Sequence, residues 1–181
     1  MKLEKGANKF RILASPIMGY VGWKDKKPSR YTMDEEFDPH QFENFPKHFW
    51  AFPVWNYATE SVQCLEVTQK SIQKAIKALT DDEDWGDPKT FDIAVTRTGE
   101  MLETEYSVMP SPKKTMSKEA NASIKEVLAT IQMDNLFNNE SPFPKEAETQ
   151  PGIEGGPSVK EDFPIKEDEP EAEYSVEDPP F

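Results

Sequence analysis

Residues 47–68 read KHFWAFPVWNYATESVQCLEVT, in which two apolar stretches flank a short polar one. Residues 47–57 are dense in aromatic side chains, and residues 62–68 mix β-branched residues with polar ones, which is typical of strands. The polar residues ATES between them favour a turn. This stretch therefore predicts a β-hairpin, and the segments on either side determine which fold it belongs to.

Upstream of the hairpin, residues 8–23 (NKFRILASPIMGYVGW) also suit a long strand. Pro16 and Gly19 lie inside it and predict a bend or bulge midway along the strand. The polar, basic stretch KDKKPSR, residues 24–30, is predicted to turn the chain. Residues 31–46 show neither a helical nor a strand period, so we expect an irregular excursion with room for a short strand at its start.

Downstream of the hairpin the apolar spacing becomes helical from Thr68, which can cap the helix. The apolar face of this helix carries Ile72, Ala75, Ile76 and Leu79. Residues 81–89 (DDEDWGDPK) end the helix. Two further strands are predicted at residues 90–98 and 102–108, with a turn between them.

A second helix is predicted after a linker, because apolar residues again recur at helical spacing and Ser117 can cap the start. Those apolar residues are Ile124, Val127, Leu128 and Ile131. We expect this helix to pack on the β domain or on a partner.

The predicted order of elements is three strands, a helix and two strands, which is the order of a five-stranded OB barrel, although other small β-rich folds share it. The predicted fold class is therefore mainly β: an OB-fold barrel with a helix between strands 3 and 4, a C-terminal helix and a disordered acidic tail. The predicted domains are 1–112 for the barrel, 113–138 for the linker and helix, and 139–181 for the tail. Trp85 is expected to plug the end of the barrel.

Charge is distributed unevenly along the chain, whose net charge is −13. Residues 140–181 carry 13 acidic and 3 basic residues, whereas residues 1–33 carry 8 basic and 2 acidic ones. Half of the 16 prolines fall within residues 142–181, and such a composition cannot bury enough apolar surface to fold. We therefore expect a basic folded body with a flexible, polyanionic end.

Several classes of function are disfavoured by what the sequence lacks. Its single cysteine, Cys64, excludes an internal disulfide, and a metal cluster would have only His40 and His48 to add. No signal-length or membrane-length apolar run is present, so we expect neither a membrane partner nor secretion. No Gly-rich phosphate loop, HExxH or GxSxG motif occurs, and we therefore do not expect an enzyme.

The aromatic and basic residues suggest a single-stranded nucleic-acid surface, since stacking rings beside cations bind bases and phosphates together. Alternation in residues 47–57 predicts that one face fills the barrel while the other exposes rings. Trp23, beside the basic turn, is the preferred stacking platform. Core packing of the rings and a merely solvated basic turn are the alternatives. The candidate DNA-binding residues are Lys9, Arg11, Tyr20, Trp23, Lys24, Lys26, Lys27, Arg30, Trp50, Phe52, Trp55, Tyr57, Arg97 and Tyr106.

Three stretches of the chain resemble bacteriophage single-stranded DNA-binding proteins of the OB-fold type. They are LEKGANKFRIL, KHFWAFPVWNY with VQCLEVTQKSIQKAI, and DWGDPKTFDIAVTRTGEMLETEYSV, all within residues 3–109. The resemblance implies a protein that coats single-stranded DNA without sequence preference during phage replication, recombination and repair, in the cytoplasm of the infected bacterial host. It implies no cofactor, and the cysteines of the zinc cluster found in some relatives are missing.

The terminal sequence VEDPPF matches the acidic tail with a last aromatic residue that such proteins carry. The resemblance implies that the tail competes with DNA for the basic surface and that Glu177, Asp178 and Phe181 then recruit a replication protein such as a polymerase or helicase. A purely solubilising tail is the alternative.

Two other functions stay open at this point. One is an OB-fold protein–protein adaptor in the replication machinery, whose rings face a protein. The other is a single-stranded RNA binder, because stacking platforms do not distinguish the sugar. The sequence leaves open whether the protein forms a dimer or assembles cooperatively on DNA.

Overall fold

A computed structural model describes residues 1–112 and 114–144 of the chain, and all statements about structure refer to these residues. They form one antiparallel sheet of seven strands with two α-helices and three short 3₁₀ turns. The strands are β1 (Gly6–Ile12), β2 (Ile17–Lys24), β3 (Lys27–Thr32), β4 (Lys47–Asn56), β5 (Ser61–Val67), β6 (Asp92–Thr98) and β7 (Glu105–Ser111). The helices are α1 (Lys70–Asp81) and α2 (Lys118–Leu128), and the 3₁₀ turns are Pro39–Gln41, Met101–Glu103 and Met133–Asn138.

Strand β4 is the axis of the sheet. Its pairing with β5 over residues 50–56 confirms the hairpin predicted from residues 47–68. Along its other edge lie β1 and β2, one after the other. Ile12 is opposite Val54 and Ile17 is opposite Ala51. Four residues therefore lie between the paired positions on the β1–β2 side, against two on β4. The extra two residues form the predicted bulge, which divides the long first strand into two.

Pro53 stands in the middle of β4, where proline is normally excluded because it cannot donate a ladder hydrogen bond. Its carbonyl accepts a hydrogen bond of 3.0 Å from the Leu13 amide, at the start of the bulge. In an antiparallel ladder the N–H and C=O of one residue point the same way, so the missing Pro53 donor faces the bulge as well. The bulge thus removes the need for that hydrogen bond.

The long first strand (β1 with β2), β4 and β5 form a meander. The chain then returns to place β6 beside β1 and β7 beside β6. The spatial order is that of a Greek key. The mainly β class is confirmed, but the strand number is seven rather than five. Two changes explain the difference: the bulge splits the first strand, and residues 27–32 pair with β2 instead of forming only a turn.

A closed barrel is not observed among the described strands, because no ladder joins β5 to β7 and the sheet stays open.

Both faces of β4 are buried, which contradicts the expectation that one face exposes its rings. Trp50, Phe52 and Val54 belong to the main core, together with Phe10 and Ile93 from neighbouring strands. On the opposite face Phe49 and Ala51 form a second, smaller core with Val21. A strand covered on both sides reads as a continuous apolar run, which is how residues 49–55 read.

The two cores are closed by segments from different parts of the chain. Helix α1 inserts Ile72 and Ile76 into the main core, as its apolar spacing predicts. Trp85 packs against the same core, with its ring 5.1 Å from that of Phe91. The second core is covered by the 3₁₀ turn Met133–Asn138, whose side chains Met133, Leu136 and Phe137 contact it.

Two element boundaries differ from the sequence predictions, and one is confirmed. Gln69 rather than Thr68 is the N-cap of α1, and its side chain makes no capping hydrogen bond. Residues 101–103 form a 3₁₀ turn, so β7 begins at Glu105 and Leu102 is fully exposed. Ser117 caps α2 as predicted, by accepting a hydrogen bond from the Ala120 amide.

Packing also continues past Asn138, where the sequence predicts the tail to begin. Pro142 is buried, and its carbonyl accepts a hydrogen bond of 2.8 Å from the Gln132 amide.

We predict that Phe137→Ala destabilises the fold by about 1–3 kcal/mol, because the ring is half-buried against Phe49 at a centroid distance of 5.9 Å. Urea unfolding followed by circular dichroism measures the change. Leu102→Ala removes an apolar side chain that is fully exposed and serves as the matched control, with an expected change below about 0.5 kcal/mol. Equal effects of the two substitutions would show that the 3₁₀ turn does not seal the second core.

Candidate nucleic-acid interface

The hairpin between β2 and β3 presents an aromatic ring among lysines. Asp25 and Lys26 both have positive φ, 51° and 61°, as a two-residue type I′ turn requires. Lys24 pairs with Lys27, and Trp23 pairs with Pro28, directly below the turn. The Trp23 side chain is 48% exposed, and all three lysines are exposed. The tip, defined as residues 23–27, therefore combines a half-exposed ring with three lysines and one aspartate, Asp25.

The excursion of residues 33–46 braces this tip. The Glu43 amide donates to the Trp23 carbonyl at 2.8 Å, and the Lys26 amide donates to the Glu43 carboxylate at 2.9 Å. Gly22 is buried directly against the Phe42 ring, which leaves no room for a Cβ atom. The position of the exposed Trp23 thus depends on the excursion as well as on the hairpin.

Aromatic packing joins the excursion to the hairpin. The Phe37 ring lies 5.4 Å from Tyr20 and 4.8 Å from Tyr31, and the Phe42 ring meets Tyr31 edge-on at 5.7 Å. His48 at the start of β4 lies 5.7 Å from Tyr20. Tyr20, a candidate DNA-binding residue, is therefore half-buried in the support of the tip.

A second group of candidate residues surrounds Asp92, whose side chain is almost fully buried on β6. Arg11 forms an ion pair with this carboxylate. Its Nε donates to Oδ1 at 2.7 Å, and its Nη2 lies 2.6 Å from the same oxygen. The Tyr57 hydroxyl donates to the same Oδ1 at 2.7 Å. Lys9 lies 3.1 Å from Oδ2 and 5.0 Å above the Tyr57 ring. Two cations share one carboxylate, which leaves the group with a net positive charge.

The same contacts change the pKa values of the group. Burial alone would raise the pKa of Asp92, but the hydrogen bonds from Tyr57, Lys9 and Arg11 together outweigh it and lower that pKa below its usual value. Burial, with the hydrogen bond to Asp92, raises the pKa of Tyr57 to about 12. Asp92 is thus held as an anion, and Tyr57 is held as a donor.

The other candidate residues are more enclosed than the sequence predicts. Arg30 pairs with Glu66 at 2.8 Å and donates to Asn139 at 2.8 Å, so its charge is already compensated. Arg97 is half-buried opposite Tyr106 on the neighbouring strand and donates to the Leu3 carbonyl at 3.3 Å. Tyr106 packs against the main core.

The rings of β4 are not exposed as the sequence analysis expected. Trp50 and Phe52 lie in the main core, and Trp55 is buried next to Arg11 on the other face. The predicted alternation is present, but α2 and the 3₁₀ turn Met133–Asn138 cover the face that would otherwise meet solvent. In this conformation these three rings do not present a stacking surface.

The candidate residues at the tip and around Asp92 therefore form two separate groups at opposite ends of β4, while Trp50, Phe52, Arg97 and Tyr106 belong to neither. Val21 pairs with Lys47, the first residue of β4, and the tip extends beyond this pair. Arg11 is paired with Trp55, near the last residue. Ten residues of strand separate these ends by roughly 30 Å. One continuous groove through all fourteen residues is not formed.

Sequence reasoning missed the exposed Phe45, whose side chain is 69% accessible, and the exposed Lys47 two residues later. Phe45 lies near the end of the excursion and Lys47 follows it, both close along the chain to the brace made by Glu43. An aromatic residue between polar ones in a segment without regular structure was the available signal.

Other features of the described residues complete the chemistry of this region. No group of three or more His, Cys, Asp or Glu side chains is placed to hold a metal ion within 1–112 and 114–144. None of the described helices is long and apolar enough to cross a membrane. Burial raises the pKa of the Cys64 thiol to about 11, which disfavours a reactive thiolate. Glu177, Asp178 and Phe181 lie outside the described residues.

Comparison with protein-family models, with curated proteins and with solved structures finds no match to this chain. The function is therefore argued from the geometry of the tip and of the Asp92 group.

We predict that stability falls in acid through Asp92. The pKa of Asp92 is lower in the folded than in the unfolded protein. The contribution of Asp92 to the free energy of unfolding is therefore complete above its unfolded pKa of about 4, and it is lost as the pH falls through its folded pKa. Asp92→Asn leaves Arg11 buried without an anion, and we expect a loss of about 3–5 kcal/mol at pH 7.

Urea unfolding at pH 7 and at pH 3 measures both effects. Glu83→Gln removes an exposed carboxylate from the turn after α1 and serves as the control, for which the acid dependence should match the unmodified protein. An acid dependence of Asp92→Asn as steep as that of the unmodified protein would contradict the role of Asp92.

Proposed function

We propose that this protein binds single-stranded DNA without sequence specificity. The observation that carries the proposal is the exposed Trp23 ring beside Lys24, Lys26 and Lys27 at the braced tip. A base stacked on an exposed ring gains about 1–3 kcal/mol, and nearby lysines attract the phosphates on either side of it. Neither interaction reads the base edges, so the expected binding is independent of sequence.

The topology supports an OB-type assignment for the domain. The Greek key order and the helix between β5 and β6 agree with it, and OB folds are often only partly closed. In OB folds the loop between the first two long strands helps grip the ligand. The tip and the excursion of residues 33–46 occupy that loop here.

The biological setting is proposed from the resemblance to phage single-stranded DNA-binding proteins. The protein would coat DNA strands during phage replication, recombination and repair, within the cytoplasm of an infected bacterium. Its acidic C-terminal segment would compete for the basic surface and recruit a polymerase or helicase through Glu177, Asp178 and Phe181.

We predict that Trp23→Ala weakens binding of a dT oligonucleotide by about 5- to 150-fold, which corresponds to the loss of one stacked base. Fluorescence anisotropy of a labelled oligonucleotide at low salt measures the affinity. Trp85→Phe is the matched control, since Trp85 is packed against the main core and keeps an aromatic ring there. Equal affinities of Trp23→Ala and the unmodified protein would exclude the tip as the stacking surface.

Log affinity falls as log salt concentration rises. We predict that replacing Lys24, Lys26 and Lys27 together by Gln makes this fall less steep, by about 0.7 in the slope for each phosphate that these side chains no longer bind. The control is Lys74→Gln, at an exposed position of α1 far along the chain from the tip. An unchanged slope would place the phosphate-binding groups elsewhere on the protein.

We predict that removing residues 145–181 tightens DNA binding, because the removed segment carries most of the net negative charge. The cut spares Pro142 and its hydrogen bond to Gln132. Titration of single-stranded and duplex oligonucleotides, with and without the segment, measures the change. Equal or weaker binding of the shortened chain would contradict competition by the tail.

A protein-adaptor function is the second candidate, and it is supported by the turn between β6 and β7. Met101 and Leu102 there are 78% and 100% exposed, which is unusual for two adjacent apolar residues. Binding of replication proteins that persists without DNA and is lost on Met101→Ser with Leu102→Ser would favour the adaptor. Replacing the DNA by RNA in the binding titration separates the two nucleic acids.

A further inference from the structure

A cavity of about 290 Å³ lies between the end of β1 and the beginning of α2. Arg11 and Lys89 contribute cationic groups to its lining, Asn121 contributes an amide, and Leu13, Met116 and Ile124 are among its apolar residues. Its volume is close to the lower limit of small-molecule sites in proteins, about 300 Å³. The cavity can therefore accept a group larger than a single inorganic anion.

Arg11 is the buried cation of this cavity. The residue is only 6% exposed, so more than nine-tenths of it is removed from solvent. Its Nη2 is buried and makes no well-aligned hydrogen bond to the described residues, although it lies close to Asp92. The Asp92 oxygen beside it also accepts from Arg11 Nε and from the Tyr57 hydroxyl, so an oxyanion in the cavity would offer the Nη2 N–H a better-aligned acceptor.

Asp92 does not neutralise the surroundings of the cavity. Its carboxylate already accepts from Arg11 and Tyr57 and is paired with Lys9, so three groups share one negative charge. Lys89 adds a second cation to the lining, with its ammonium 3.4 Å from the exposed Asp87. A pair this exposed is weak in water, which leaves Lys89 able to contact a ligand.

The apolar lining decides what the anion is attached to. A free phosphate would make no apolar contact with Leu13, Met116 and Ile124, whereas the base and sugar of a nucleotide would cover these side chains. Phosphate is also a good acceptor for arginine, whose guanidinium has five N–H donors and therefore more than the ones that Arg11 directs at Asp92. Phosphate and carboxylate share the oxyanion chemistry, and the volume and apolar lining favour the phosphate of a nucleotide.

We propose that this cavity binds one nucleotide unit of single-stranded DNA, with its phosphate on Arg11 and Lys89 and its base and sugar against Leu13, Met116 and Ile124. The proposal rests on the proposed function and adds a second binding position, in an open depression, to the one at the tip. The cavity lies with the Asp92 group, at the far end of β4 from Trp23. A strand of several nucleotides would be needed to reach both.

The test uses the full-length protein labelled with ¹⁵N and titrated with dTMP, thymidine and succinate. Chemical-shift changes of the Leu13 and Asn121 amides and of the Arg11 Nε–H report on the cavity. We expect dTMP to bind at least tenfold more tightly than thymidine or succinate. Lys89→Met should weaken dTMP binding by about threefold to fivefold, as expected when one exposed ion pair is removed. Lys74→Met on α1 is the matched control and should have no effect.

Arg11→Lys is a second variant. It loses part of the Arg11 contact with Asp92 and can unfold for that reason, so the decision rests on Lys89→Met. Absence of dTMP-dependent shifts at these three groups, or shifts that Lys89→Met leaves unchanged, overturns the proposal. Succinate binding as tight as dTMP overturns the nucleotide assignment.

Oligonucleotide anisotropy run in parallel separates the two claims. A protein that binds dT oligonucleotide through Trp23 but shows no dTMP site retains the proposed function and loses this inference. A protein that binds dTMP at the cavity but no oligonucleotide loses the proposed function, and with it the assignment of the cavity to single-stranded DNA.

Discussion

The structure depends on the complete enclosure of β4. One edge of the strand pairs with β1 and β2, the other edge pairs with β5, and each of its faces lies in a separate apolar core. Burying large rings such as Phe49 and Phe52 on opposite faces removes several hundred Å² of apolar surface from water. The bulge opposite Pro53 is the condition for this, because it lets a proline, which has no N–H to donate, occupy a central strand without leaving an acceptor of a regular ladder unpaired.

Enclosure of β4 also decides where a ligand can bind. The face of β4 and β5 that an OB fold would offer to nucleic acid is covered by α2 and by the turn Met133–Asn138. Under the proposed function, contacts with a single strand are then left to the projecting hairpin and to the depression between β1 and α2. Both places have basic side chains next to apolar ones, as contacts to a phosphate and to a base require.

The sequence predicted the parts of the fold that depend on local patterns. The hairpin of β4 and β5, the apolar face of α1 and the Ser117 cap of α2 follow from spacing over a few residues, and all three are observed. Strand β3 was missed because its sequence, KPSRYT, contains no apolar alternation and pairs only with β2. Its structure is imposed by the type I′ turn and by aromatic packing from the excursion.

The candidate site was predicted less well, because exposure depends on segments that lie far apart in the chain. Alternation separates the two faces of β4, but it cannot show that Phe137, more than eighty residues later, covers one of them. Similarly, nothing near Arg11 in the sequence indicates that Asp92 pairs with it. Trp23 was placed correctly as an exposed ring because a short hairpin tip has no distant segment to cover it.

For the proposed binding of single-stranded DNA, the charge around the tip favours stacking over electrostatic attraction as the main source of affinity there. The excursion of residues 33–46 contains five acidic residues and no lysine or arginine. Glu35, Asp38 and Glu43 accept backbone hydrogen bonds that hold the loop, and Glu43 accepts from the Lys26 amide, which places its charge at the tip. The field of three lysines is thereby reduced, while the Trp23 ring is unaffected. A base that stacks on this ring gains energy that salt does not screen, and the lysines then mainly orient the backbone beside it.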